Sequence, residues 1–240
     1  MRGRRTLLVA ALISVSAALA AAGILVAADR WGRQPVATQS SSPYRGSSPP
    51  PGIKLPAFSL PKVGGGRVSS RNLRGRLVLT TFVDSACKQS CPIIVNILGQ
   101  ALRQLTPGEN AEITPLAFSV NPPSDTPIHV RQFLRKHRAA DLIYLVDTTL
   151  HMRSIWKRFG VLPAVDTGDA DVHSADVRIF DRGGVWVSTL HVAVDLTARN
   201  LVHDIRVADR GVAEGRASAG ESVRLHADPS SRLASRPAHR

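Results

Sequence analysis

Cysteine is almost absent from this chain: 240 residues hold two, Cys87 and Cys91, in the stretch "DSACKQSCPI". Aromatic residues are also scarce, with three Trp and two Tyr, and no block of Lys and Arg interleaves with them. The formal charge of +13 therefore has no reading element for nucleic acid. Eight of those excess charges lie outside residues 57–210, and basic flanks beside an anionic membrane surface are the simpler account. No internal repeat or coiled-coil pattern is present. No charge interrupts residues 6–28, and no cysteine directly follows that run, which excludes a bacterial lipoprotein anchor.

That uncharged run follows "MRGRR" and is 23 residues long. A secretory core is usually about 7–15 residues and a spanning helix needs about 20. We read residues 1–29 as a single N-terminal transmembrane helix, with "ALA" at 18–20 and "AAA" at 20–22 as the sites of cleavage if it is instead a signal peptide. The arginines before it place the rest of the chain on the extracytoplasmic side of the cell membrane, an oxidising compartment. Residues 30–55 are rich in Pro and Ser and read as a linker. Residues 56–210 form the expected domain, and 211–240 a disordered basic tail.

Within the domain, "AFSL" (57–60) and "GRVSS" (66–70) suggest a short hairpin. The runs 76–84, 112–120 and 142–147 are apolar and β-branched, as expected of strands buried on both faces. Helical periodicity marks 92–105, 126–137 and 149–160, the last closed by Gly160. A hairpin over 175–190 and a helix over 195–208 follow. Alternating strands and helices, ended by an antiparallel hairpin and a helix, predict an α/β domain of thioredoxin-like layout. Its mixed central sheet has helices on both faces. In such sheets, sites form at the carboxyl ends of strands, where Cys87 and Cys91 fall.

Three roles compete for this pair: a redox disulfide, a soft-metal site or a structural crosslink. A crosslink closing so small a loop removes little chain entropy. A helix N-terminus lowers a thiol pKa, and Lys88 adds positive charge, so reactive or ligating sulfur fits better. Two thiolates suit Cu(I), and a transferable site calls for a third ligand such as imidazole. His129, His137, His151 and His203 fall on predicted helices among polar residues and read as solvated. His173 lies in a Gly/Asp-rich loop before a strand, where ligands occur; His191, just after a strand, is a weaker candidate.

The chain resembles the Sco/SenC family of membrane-anchored, thioredoxin-like copper proteins from about Tyr44 to Asp209. The likeness rests on "YRG", "PAFSL", "NLRGRLVLTTFVDSACKQSCP", "FSVNPPSDTP" (118–127), "WKRFGV" (156–161) and "VHSADVRIFDRGG" (172–184). The resemblance implies that Cys87, Cys91 and His173 are copper ligands. It implies a metallochaperone that works with other copper chaperones and loads the copper subunit of cytochrome c oxidase or another cuproprotein. Some members act as thiol reductants toward that centre. A metal-free thiol:disulfide oxidoreductase using Cys87 and Cys91 is the alternative, and a peroxidase-like protein a third. The chain departs from the family where acidic residues are usual: Lys88, Gln89 and Ser90 fill the cysteine loop, and Asn121 and Val172 stand in place of Asp. Asp171 or Asp176 is then the candidate to orient the imidazole.

Overall fold

The computed structural model describes residues 42–168 and 173–225. The run 6–28 and residues 226–240 lie outside them. Among the described residues no helix is long and apolar enough to cross a membrane.

A small antiparallel pair, β1 (Ser59–Pro61) and β2 (Arg67–Ser69), precedes the main sheet. β3 (Leu77–Val83) is buried at all seven positions, as its unbroken apolar and β-branched run requires. Helix α1 (Ser90–Gln104) follows, then α2 (Pro107–Ala111), β4 (Ile113–Ser119), α3 (Pro127–Lys136), β5 (Ile143–Leu145) and α4 (Thr149–Phe159). The short α5 (Ala164–Thr167), the hairpin β6 (Asp176–Phe180) and β7 (Trp186–His191), and the long α6 (Ala198–Leu225) complete the chain. The sheet order is β5-β4-β3-β6-β7. β3, β4 and β5 are parallel; β6 and β7 are antiparallel to their neighbours.

Alternation along β3 feeds two cores. Leu77, Leu79 and Val83 join residues of α1, α3 and α6 on one face. Val78 and Phe82 join β1 and α4 on the other. In that second core Phe82, Phe118 and Phe159 lie within 5.7 Å of one another, centroid to centroid. Such contacts add about 0.5–1.5 kcal/mol per pair beyond area burial. α4 stops where expected: Gly160 takes φ 62° and caps the helix in the left-handed conformation.

Two boundaries differ from expectation. α1 begins at Ser90, not Pro92. Proline sits third in the helix, where its missing N–H belongs to the unpaired first turn and nothing is lost. The last helix does not end near residue 208: α6 continues to Leu225.

Register fixes what meets at the carboxyl end of the sheet. Val83 pairs with Ser119 in the parallel β3–β4 ladder, so the loops after these strands leave side by side. β6 runs the other way, with Val177 opposite Thr81. The chain entering β6, which carries His173, therefore arrives at the same end.

Candidate metal centre

The loop after β3 is built on two buried carboxylates. Asp84 accepts the Ala86 N–H at 2.8 Å through Oδ1, and its carbonyl accepts the Cys87 N–H at 3.2 Å. These bonds turn the chain immediately after the strand. From the neighbouring loop Ser124 Oγ donates to Asp84 Oδ1 at 2.7 Å, and Asn121 Nδ2 donates to Oδ2 at 2.9 Å. Asp125 accepts the Ser85 N–H at 2.8 Å and the Ser119 hydroxyl at 2.6 Å, and its Oδ2 lies 2.7 Å from the Tyr144 hydroxyl. The cysteine loop is thus held to β4 and β5 by hydrogen bonds to charged or buried groups, the strong kind.

On this base α1 starts, and Cys91 in its first turn is fully buried. The Cys91 N–H donates to Cys87 Sγ at 3.3 Å, and the Asp84 N–H to Cys91 Sγ at 3.5 Å. Ser90 Oγ lies 3.7 Å from Cys87 Sγ. Both cysteines are free thiols. Burial pushes the Cys91 thiol far up, with the hydrogen bond to Cys87 adding to it.

His173 closes the arrangement. Its Nε2 is 3.0 Å from Cys91 Sγ, and its Nδ1 is 2.7 Å from the Ser174 carbonyl oxygen. A carbonyl only accepts, so Nδ1 carries the proton and Nε2 is the nitrogen turned toward the sulfurs. Ser174 is itself tied to Leu162 by two bonds, N–H to carbonyl at 3.1 Å and Leu162 N–H to Ser174 Oγ at 3.0 Å. Burial opposes the charged imidazole, but hydrogen bonding to Cys87 and the Ser174 carbonyl outweighs it and raises the His173 pKa. The two sulfurs and the imidazole nitrogen lie within 4.8 Å of one another. Two soft donors and one imidazole fit copper, and a metal entering this site must displace protons.

The structure therefore brings together the three residues singled out from the sequence. Among the described residues, no carboxylate is hydrogen-bonded to the imidazole. Asp176 holds the buried Arg178 guanidinium through both oxygens, at 3.0 and 3.1 Å, and Asp171 lies outside the described residues. The Ser174 backbone takes the orienting role. Of the other histidines, His151 pairs with Asp147 and His203 with Asp204, and His191 ends β7. Sequence reasoning missed Asp84 and Asp125. Next to Asp125, Thr126 caps α3, accepting the His129 N–H at 3.3 Å. Asn121, read as a loss of acidity, donates to Asp84, a bond that an ionised Asp at this position cannot make.

Comparison with known proteins agrees with this geometry. Residues 48–208 match the SCO1/SenC family. A SCO2-like protein of Rickettsia typhi is 24% identical over 156 residues, covering 62% of this chain and 75% of that protein. Mitochondrial SCO2 of Saccharomyces cerevisiae is 28% identical over 104 residues, covering 43% and 34%. Copper-bound ScoI of Bradyrhizobium japonicum superposes with a TM-score of 0.55 at 22% identity, over 65% of this chain and 100% of that one. BsSco, described as a member of the Sco family of cytochrome c oxidase assembly proteins, gives 0.55 at 19%, over 65% and 92%. The thioredoxin-like α/β fold and the family match over most of the described residues lead to one assignment: the chain belongs to the SCO1/SenC family.

Proposed function

We propose that this chain binds copper through the thiolates of Cys87 and Cys91 and Nε2 of His173. It delivers the metal, outside the cytoplasm, to the copper centre of cytochrome c oxidase or another cuproprotein. The segment 6–28 anchors it in the membrane. The observation that carries this reading is that two sulfurs and an imidazole nitrogen lie within 4.8 Å of one another, beside a cysteine loop braced by Asp84 and Asp125. Two thiolates favour Cu(I), and imidazole accepts either oxidation state. The copper bound to related ScoI and yeast Sco1 supports it.

A second reading is favoured by the asymmetry of the cysteines. Cys87 Sγ accepts the Cys91 N–H at the start of α1, which stabilises a thiolate, while burial keeps Cys91 protonated. As a reductant, Cys87 would attack a partner disulfide and break its S–S bond. Cys91, after losing its proton, would displace the partner's second sulfur, leaving a Cys87–Cys91 disulfide and two electrons on the partner. A disulfide switch is described for BsSco.

Titration of Cu(I) into the reduced full chain in neutral detergent, against a competing chelator, separates the two. Copper delivery expects one tight equivalent, at least about tenfold weaker in His173→Ala, with affinity falling as pH is lowered because the ligands must lose protons. Equal, weak binding by both proteins would leave only the dithiol reading.

A further inference from the structure

One face of α6 carries basic side chains in line. Arg199, His203, Arg206 and Arg210 follow one another at spacings of four, three and four residues, which stacks them along a single face of the helix. From the first to the last the helix rises about 17 Å. The stripe borders an open groove of about 350 Å³, which Arg45 of the entry segment and Gln104 of α1 also line. Two of these groups are answered by acids. Arg206 binds Glu109 at 2.8 Å, and His203 Nδ1 lies 2.9 Å from the buried Asp204. Asp209, beside Arg210 in the chain, is held by Arg182 at 2.7 Å. Arg45 donates to the neutral Asn200 Oδ1 at 3.2 Å. Arg199 and Arg210 are exposed and form no ion pair among the described residues. Once the neighbouring acids are counted, Arg45, Arg199 and Arg210 still leave the groove positive.

We infer that this groove rests on the anionic headgroups of the membrane that holds the chain. This rests on the reading of segment 6–28 as an anchor. Residues 29–41 join that segment to the described domain, and thirteen residues span at most about 45 Å. The chain then meets α6 at this groove, where the Arg45 and Gly46 N–H groups donate to Asp204 at 2.8 and 3.0 Å. The tether thus ends beside the stripe, and the membrane surface stays within its reach. Guanidinium groups bond phosphate oxygens in a fork, and each arginine near an anionic surface strengthens binding about fivefold. A protein partner fits less well. Protein interfaces are anchored on exposed apolar and aromatic side chains, whereas Val202, the apolar residue of this lining, is buried. β7 ends where His191 pairs with Asp176, close to His173 in the chain, and α6 starts from that same end of the sheet. A domain lying on this face of α6 therefore keeps its metal centre open beside the headgroups.

The test places the full chain in nanodiscs of phosphatidylcholine, alone or equimolar with phosphatidylglycerol, at physiological salt. Phenylglyoxal modifies accessible arginines, and mass spectrometry follows the labelling of each one. Phosphatidylglycerol should slow labelling of Arg199 and Arg210 at least about threefold. Arg71 and Arg74, which line a separate basic groove, should change by less than about twofold. In Arg199→Gln with Arg210→Gln, Arg45 should lose the slowing that the charged lipid gives it. In Arg71→Gln with Arg74→Gln, Arg199 and Arg210 should keep theirs. Equal slowing in both grooves, no slowing at Arg199 and Arg210, or the same slowing by inorganic phosphate in phosphatidylcholine would overturn the inference. The anchor is read separately, from retention of the chain in phosphatidylcholine nanodiscs on gel filtration. A retained chain whose arginines are not slowed keeps the anchor and sinks the groove. A chain that is not retained, yet shows the slowing at Arg199 and Arg210 on phosphatidylglycerol vesicles, sinks the anchor and leaves the groove as a headgroup site.

Discussion

The Tyr144 hydroxyl has one proton and two acceptors in reach, the Val83 carbonyl at 2.8 Å and Asp125 Oδ2 at 2.7 Å. Both bonds form if Asp125 is protonated and donates to Tyr144 while Tyr144 donates to Val83. Burial drives Asp125 that way, outweighing the hydrogen bonds from Ser119 and Ser85, and its pKa is raised above the ordinary 3.8. An acid whose folded pKa is raised contributes stability fully below pH 3.8 and loses it as pH rises through the folded value. Asparagine reproduces the protonated form: its amide donates where the acid proton did, and its oxygen still accepts the Ser85 N–H. Asp125→Asn should therefore gain on the wild type as pH rises from 3.8, read from urea midpoints across pH. Parallel profiles would refute the assignment. Asp125→Ala leaves the Ser85 N–H and the Ser119 hydroxyl without their acceptor and should lose about 1–3 kcal/mol. At this scale the cysteines and His173 were legible, because a buried strand, a helix start and a loop before a strand are local patterns. The brace beneath them was not. Asp125 reaches Ser85 across 40 residues, and only the parallel register of β3 and β4 brings the two together. The claim of Arg178 on Asp176 was within reach of the sequence, since residues two apart on a strand share a face.

Each long strand announced itself by an apolar run, and the mixed sheet followed from the alternation with helices and the closing hairpin. α2 is only five residues long, but its Thr106 and Glu109 form a reciprocal capping box that the sequence displays as T-x-x-E. The end of α6 was hidden because Gly211, Gly215 and Gly220 weaken the helical signal beyond residue 210. The entry segment hides a steric requirement. Ser47 pairs with Thr189 along the free edge of β7, covering an edge that would otherwise invite another strand. Just before it, the Arg45 and Gly46 N–H groups donate to the buried Asp204 carboxylate at 2.8 and 3.0 Å. A Cβ on Gly46 would lie 2.5 Å from both Ser188 Oγ and the Thr189 carbonyl oxygen. The segment must then lift from the edge and leave Asp204 short of a donor. Gly46→Ala should lower stability by about 1–3 kcal/mol, seen as an earlier urea midpoint, with more association at high concentration. An unchanged midpoint would mean that the segment does not help hold the sheet.

The molecule as a whole is a polycation of net charge +13, and acid makes it more so by protonating the 18 Asp and Glu that partly offset its 31 Lys and Arg. Few ties resist this where α6 crosses the amino end of the sheet. Arg182 binds Glu112 and Asp209, each at 2.7 Å, and Arg206 binds Glu109 at 2.8 Å. Hydrogen bonding to Arg206, then to the Thr106 N–H, holds Glu109 down at about 2 against an ordinary 4.5. A lowered carboxylate gives stability that is present above pH 4.5 and lost as pH falls toward 2. Glu109→Gln separates this charge from the helix start, because glutamine keeps the capping box with Thr106 and loses only the ion pair to α6. The variant should melt slightly below the wild type at pH 7, converge with it near pH 2, and show a smaller difference in high salt, since exposed pairs are screened. A gap independent of both pH and salt would assign Glu109 to packing, and the hold of α6 on the sheet would then rest on Leu201, Val202 and Ile205 in the core.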